Sequence, residues 1–242
     1  DVTLLGLPKH EDWWFRGPLS DPSLVRDKLG LDLWAAMAQE RGEWGVGSRF
    51  VEVFMNDSYD GVYLLTEAIK RGDSRLQLAK TKADTAPEKA AYLIELSRAS
   101  ECFHGWDVKY PKCKKLSAEQ LSHIVGRTEQ LDQIAIEARH TGGAGVTMAS
   151  LEQYVDMDSF IDMLILEELS KDHDMNRASR FFYMKGDEDD QRLYAGPAWD
   201  FDKAFDSPLR QRAGRDRMND ADGFAFLESV AGIYEAVDAL RC

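Results

Sequence analysis

Two short acidic clusters flank a segment with the pattern of a β-hairpin. The first, Asp172-His173-Asp174-Met175-Asn176, ends a stretch of helical periodicity, and the second is Trp199-Asp200-Phe201-Asp202. Between them lie the apolar run from Arg180 to Met184, a polar turn from Gly186 to Gln191, and a returning run from Arg192 to Gly196. The two arms of a hairpin return to nearly the same place, with strands about 4.8 Å apart. Asp174 and Asp200 are therefore expected to face one cleft within about 10 Å. Carboxylates converging at strand ends repel one another, and a divalent cation between them relieves the repulsion. Oxygen-only ligands suit Mg²⁺ or Mn²⁺. The bland reading is a solvated face, since the chain carries 43 Asp and Glu.

The elements that must position these clusters follow from pattern. Asp21-Pro22 is a cap and first-position pair opening a helix that carries Leu24, Val25, Leu29, Leu31, Trp34 and Met37 and stops at Gly42. Residues 50–55 and 62–65 form a hairpin around a four- or five-residue loop. Residues 71–90 are polar and are expected to be a partly mobile loop. Residues 91–96 and 105–110 are two further strands. Ser117 and Gln120 form a capping box for a long helix that ends before Thr141. Asp156 or Asp158 caps the next helix, with Phe160, Ile161, Leu164, Ile165 and Leu169 expected on its buried stripe. The tail from Asp222 to Arg241 has helical spacing. The order is α+β, not alternating βαβ.

Composition bounds the function. The 242 residues include 30 Lys and Arg against 43 Asp and Glu, a net charge of −13, and 44% are hydrophobic. That is enough apolar matter for a core. No run approaches the roughly 18 apolar residues of a membrane helix, so no transmembrane segment is expected. The negative charge argues against a nucleic-acid partner, which needs a positive surface. The first residues lack the pattern of a signal peptide, and the sequence reads as starting within a domain. Cys102 and Cys113 are 11 apart, and the spacing leaves a disulfide and two free thiols equally open.

The hairpin with an acidic residue at each end parallels the layout of protein kinases, where a catalytic-loop Asp and a metal-holding Asp-Phe-Gly flank it. Here the second motif reads Asp-Phe-Asp. The sequence as a whole resembles the CotH kinase family, named for a spore coat protein. The matching stretches are LLGLPKHEDWW, DPSLVRDKLGLDLW, RFVEVFMNDSYDGVYLLTEAIKR, AYLIEL, VKYPK with LSAEQLSHI, FIDMLILEELSKDHDMNRASRFFYMK and RLYAGPAWDFDKAFD, in family order over roughly residues 3 to 207.

The resemblance implies a single atypical protein-kinase-like domain over 1–242, without its N-terminal strands. A strand-rich part would span 1–115, and a helical part with the catalytic hairpin 116–242. It implies ATP and Mg²⁺ (or Mn²⁺) as cofactors, a protein Ser/Thr hydroxyl as acceptor, and a secreted, cell-surface or spore-coat location. Asp174 matches the catalytic-loop Asp, and Asp200 the metal-binding Asp. Asp202 and Asn176 are further metal candidates, and Trp199 is placed to stack on adenine. Ser179 stands where kinases carry a second metal ligand, five residues after the catalytic Asp. Glu67 and Arg180 are candidate nucleotide-site residues. For the phosphate-clamping lysine the internal candidates are Lys70, Lys80 and Lys112, with Lys80 carried forward; a lysine upstream of this sequence is the alternative.

Structural readings stand beside these. His173 caps helix-terminal carbonyls. Glu67 is an exposed strand-end acid, and Arg180 makes a salt bridge to the acidic clusters. Gly142 to Gly145 follows a helix instead of opening one and is no phosphate loop. Two rival functions remain: a catalytically silent surface or adhesion module, and a metal-dependent hydrolase using the same carboxylates.

Overall fold

The computed structural model describes residues 1–17, 19–97, 102–103, 105–141, 146–172 and 178–205. The architecture is α+β, with seven strands in two antiparallel sheets and four α-helices among the described residues. In chain order these are β1 (Trp13–Arg16), α1 (Val25–Glu40), β2 (Ser48–Met55), β3 (Ser58–Glu67), β4 (Tyr92–Leu96), β5 (Trp106–Tyr110), α2 (Ala118–Thr141), α3 (Met148–Leu151), α4 (Met157–Ser170), β6 (Arg180–Met184) and β7 (Tyr194–Ala195). One sheet has the order β1-β3-β2 and the other β5-β4-β6-β7.

Local signals placed several elements as expected. The capping box closes reciprocally: Gln120 N–H donates to Ser117 Oγ at 3.2 Å, and Ser117 N–H donates to Gln120 Oε1 at 3.0 Å. Asp156 caps α4 by accepting from Ser159 N at 3.1 Å. Residues 180–184 and 194–195 pair antiparallel, with Phe182 opposite Ala195, and the turn between them exposes Asp187, Glu188 and Asp189. For Cys102 and Cys113, which the spacing left open between two states, the structure has the disulfide.

Other expectations are corrected. α1 begins at Val25, because Leu24 takes a left-handed backbone (φ 55°). Asp21 instead accepts from Ser23 N, Ser23 Oγ and Arg26 N across the bend. The buried face of α1 is Asp27, Gly30, Leu31, Trp34 and Ala38, while Val25 and Leu29 are exposed. The β2–β3 loop is only Asn56-Asp57, both at positive φ (48° and 64°), which is the twist-matched two-residue turn. Residues 71–90 are pinned: Arg75, Leu76, Leu78 and Ala90 are buried in the interior. On α4 the buried stripe is Met157, Ser159, Phe160, Met163, Leu166 and Ser170, and Ile165 and Leu169 face outward. Ser159 earns its interior position by bonding: its Oγ accepts from Ala195 N of β7 at 3.0 Å. The expected helix over 222–241 lies outside the described residues.

The fold's contribution to the candidate site is the seat it gives the stretch from Gly196 to Phe205. Two glycines permit it. A Cβ on Gly196 (φ 105°) would meet the Trp34 ring at 2.2 Å, and a Cβ on Gly30 would meet the fully buried Phe201 ring at 2.2 Å. α1 thus lies directly against both ends of the Gly196–Phe201 segment. Hydrogen bonds from Gly196 N to Phe181 O (2.8 Å), Phe201 N to Asp27 Oδ1 (2.9 Å) and Phe205 N to Ser170 O (2.6 Å) fix it to β6, α1 and α4.

Candidate active site

Asp200 protrudes from this anchored segment, its side chain 28% exposed and its backbone left-handed at φ 69°. Ser179, just before β6, is also left-handed at φ 61°. Its Oγ donates to Asp200 Oδ2 at 2.9 Å, and its N–H is held by Leu96 O of β4 at 3.0 Å. Two non-glycine residues in a backbone region costing roughly 1–3 kcal/mol each therefore face one another.

The other carboxylate oxygen is taken by a residue that local reading missed. Arg16, the last residue of β1, donates Nη2 to Asp200 Oδ1 at 2.5 Å and Nε to Asp27 Oδ2 at 2.8 Å. Its guanidinium lies 4.8 Å from the centre of the Trp199 ring, against which Trp14 packs edge-on at 4.9 Å. Burial works against the charge on Arg16, but Asp27 and Asp200 outweigh it and hold the guanidinium firmly protonated. Burial also pushes the Asp27 carboxyl above its ordinary range, with Arg16 opposing. One signal for this pair was present: Asp27 falls on the apolar stripe of α1, and a carboxylate there requires a partner. Nothing local pointed to Arg16, 184 residues from Asp200.

The remaining candidates are distributed as follows. Asp202 is half-buried; burial raises its carboxyl, and the Ser20 hydroxyl opposes. Trp199 is 9% exposed, between Arg16 and Trp14. Glu67 is buried, not exposed, and its cation is an arginine: it pairs with Arg75 and accepts from Gly47 N (2.8 Å) and Trp44 Nε1 (3.2 Å). Arg180 is buried and ion-paired to Glu167 of α4, one acid outside both clusters. Lys70 pairs with Asp12, and Lys112 is exposed. Lys80 is exposed too, and its neighbour Ala79 bonds Lys185 O at the far end of β6. Six extended residues separate that point from Ser179, about 20 Å, so Lys80 is not brought to Asp200. Asp174, Asn176 and His173 lie outside the described residues, and with them the expected Asp174–Asp200 approach.

Among the described residues no group of three or more His, Cys, Asp or Glu gathers to hold a metal. The donors at Asp200 are nevertheless hard: a carboxylate and the Ser179 hydroxyl. Mg²⁺ commonly takes one or two carboxylates and completes its shell with substrate phosphates and water. This set fits a cation arriving with a nucleotide, and not a free-standing metal cage.

Antiparallel sheets with packed helices make this an α+β protein, and the family that its sequence matches is kinase-like. The chain belongs to the CotH kinase family: the family model described as CotH kinase protein matches residues 1–231. A comparison with curated proteins finds no match. No described helix is long and apolar enough to cross a membrane.

Proposed function

We propose that the chain is a metal- and ATP-dependent phosphotransferase acting on a Ser/Thr hydroxyl of a protein. The observation that carries this reading is the 2.9 Å contact between Ser179 and Asp200, which joins the two motifs flanking the hairpin. Asp200 and Ser179 would hold Mg²⁺, with Asp202 as neighbour; the ion supplies charge neutralisation at the β- and γ-phosphates. Asp174, five residues before Ser179, would accept the proton of the attacking hydroxyl. The new bond joins that oxygen to the γ-phosphorus, and the bond to the β–γ bridging oxygen breaks. ADP, a phosphoprotein and one proton result. The contribution of the Asp174 carboxylate to turnover is expected to be roughly 10²–10⁴-fold.

Asp200→Asn keeps the shape and removes one charge. It is expected to abolish Mg²⁺-dependent nucleotide binding with the fold intact, while Asp174→Asn keeps binding and loses transfer. Unchanged Mg²⁺–ATP affinity in Asp200→Asn removes Asp200 from the site. Free phosphate instead of phosphoprotein identifies a hydrolase. A catalytically silent surface module is favoured by one observation: Asp200 is already tied to Arg16, and Trp199 is already packed against Arg16 and Trp14. Absence of nucleotide binding by the unaltered chain would decide for it.

A further inference from the structure

The cation at Asp200 is Arg16, and its surroundings differ from those of an ordinary surface ion pair. One edge of the guanidinium is anchored to the buried Asp27, and its face rests on Trp199. Only the Nη2 edge reaches the partly exposed Asp200. Asp27 has a second task, since its Oδ1 accepts from Phe201 N, so the anchor of Arg16 is also part of the seat of Asp200. The guanidinium is thus fixed beside the carboxylate proposed to take the metal, and a planar multi-donor cation suits phosphate oxygens.

We infer that Arg16 is a phosphate-binding residue of this site, held by Asp200 in the empty protein and turned to the nucleotide phosphates when a metal takes Asp200. The inference rests on the nucleotide reading above. Without metal, Asp200 occupies Arg16 and repels polyphosphate, so binding is weak. With metal, Asp200 has a new cation and the Nη2 edge is free for an anion, while Asp27 and Trp199 keep the guanidinium in place. Arg16 thereby takes the part that a phosphate-clamping lysine would play.

The test uses calorimetric titration with adenosine, ADP and ATP, in Mg²⁺ or in EDTA. Arg16→Ala leaves Asp27 buried and unpaired and risks unfolding. The paired variant Arg16→Gln with Asp27→Asn removes both charges and keeps an oxygen for Phe201 N. It is expected to lose about tenfold or more in Mg²⁺–ATP and Mg²⁺–ADP affinity, the size of one charged hydrogen bond, with adenosine unchanged. Asp200→Asn should bind ATP more tightly than the unaltered chain in EDTA, and adding the paired change should erase that gain. Equal loss for adenosine and ATP makes Arg16 a structural residue and overturns the inference. So does unchanged ATP affinity in a paired variant whose parent binds Mg²⁺–ATP. If the parent binds no nucleotide at all, the phosphotransferase reading falls first and this one with it.

Discussion

Gly30→Ala tests whether α1 seats the Asp200 segment. In a helix interior this substitution ordinarily stabilises by about 1 kcal/mol. Here the added methyl would lie 2.2 Å, 2.4 Å and 2.5 Å from three carbons of the Phe201 ring. That ring is fully buried, and its backbone is tied to Asp27, so it has no room to turn aside. Overpacking of this kind costs about 1–3 kcal/mol, and a rigid ring belongs at the upper end. The net expectation is a loss of about 1–2 kcal/mol. Gly126 of α2 supplies the control, since a Cβ there meets nothing within 4 Å. Gly126→Ala should stabilise by about 1 kcal/mol. The same change in two helices thus has opposite signs. Each kcal/mol moves the melting temperature of a domain this size by about 2–4 °C. Urea unfolding with a common slope measures the difference directly. Gly30→Ala should also weaken Mg²⁺–ATP binding, because Phe201 carries Asp200 with it, whereas Gly126→Ala should not. A Gly30→Ala protein as stable as Gly126→Ala, with unchanged nucleotide affinity, would refute the anchoring argument.

Arg75→Ala should cost about 3–5 kcal/mol in urea unfolding, because it strands a buried Glu67 charge, while Arg75→Met combined with Glu67→Gln, which keeps an acceptor for Gly47 N and Trp44 Nε1, should cost far less. Replacing both Cys102 and Cys113 by Ser should lower stability by about 2–3 kcal/mol, the loop-closure entropy of so short a loop, and reducing agent should then have no further effect on the melting temperature. The Arg192 side chain, with help from the Tyr194 hydroxyl and Arg192 N, holds the Asp190 carboxyl well below its ordinary range. The unfolded chain binds that proton more readily, so this stabilisation is complete above about pH 4 and is lost as pH falls further. Asp190→Asn should flatten the acid limb of a stability–pH curve, and an unchanged limb would contradict the assignment.

What was legible in the sequence was local. Ser117 with Gln120 and Asp156 with Ser159 bond within three residues of themselves, so type and spacing were sufficient. The hairpin of residues 180–195 was legible because two short apolar runs are separated by a polar turn. What escaped depends on distant partners. Residues 71–90 read as polar, yet Arg75 is drawn inward by the buried Glu67 at the end of β3. The α4 stripe was misplaced because hydrophobicity favours Ile165 and Leu169, whereas the fold buries Ser159, which satisfies a β7 amide. At the site, Asp200 announced itself through its neighbours Trp199 and Asp202. Arg16 did not, since nothing near it in sequence records the carboxylate it meets.

The pairing of Leu96 with Arg180 has a consequence for how the chain is made. β4 sits between β5 and β6, yet β6 leaves the ribosome long after it. At synthesis rates of about 5–20 residues per second, the interval is roughly 4–17 s. Through that time Tyr92, Leu93 and Ile94, all fully buried in the finished protein, lie on a strand with one open edge. Such edges pair readily with other chains. α1 waits longer still, since its Gly30 notch stays empty until Phe201 emerges. Premature termination between residues 97 and 179 would therefore release a fragment with a sticky edge and an unfilled notch. Cells making this protein would gain from slow initiation or from a holdase bound to the nascent β4–β5 pair.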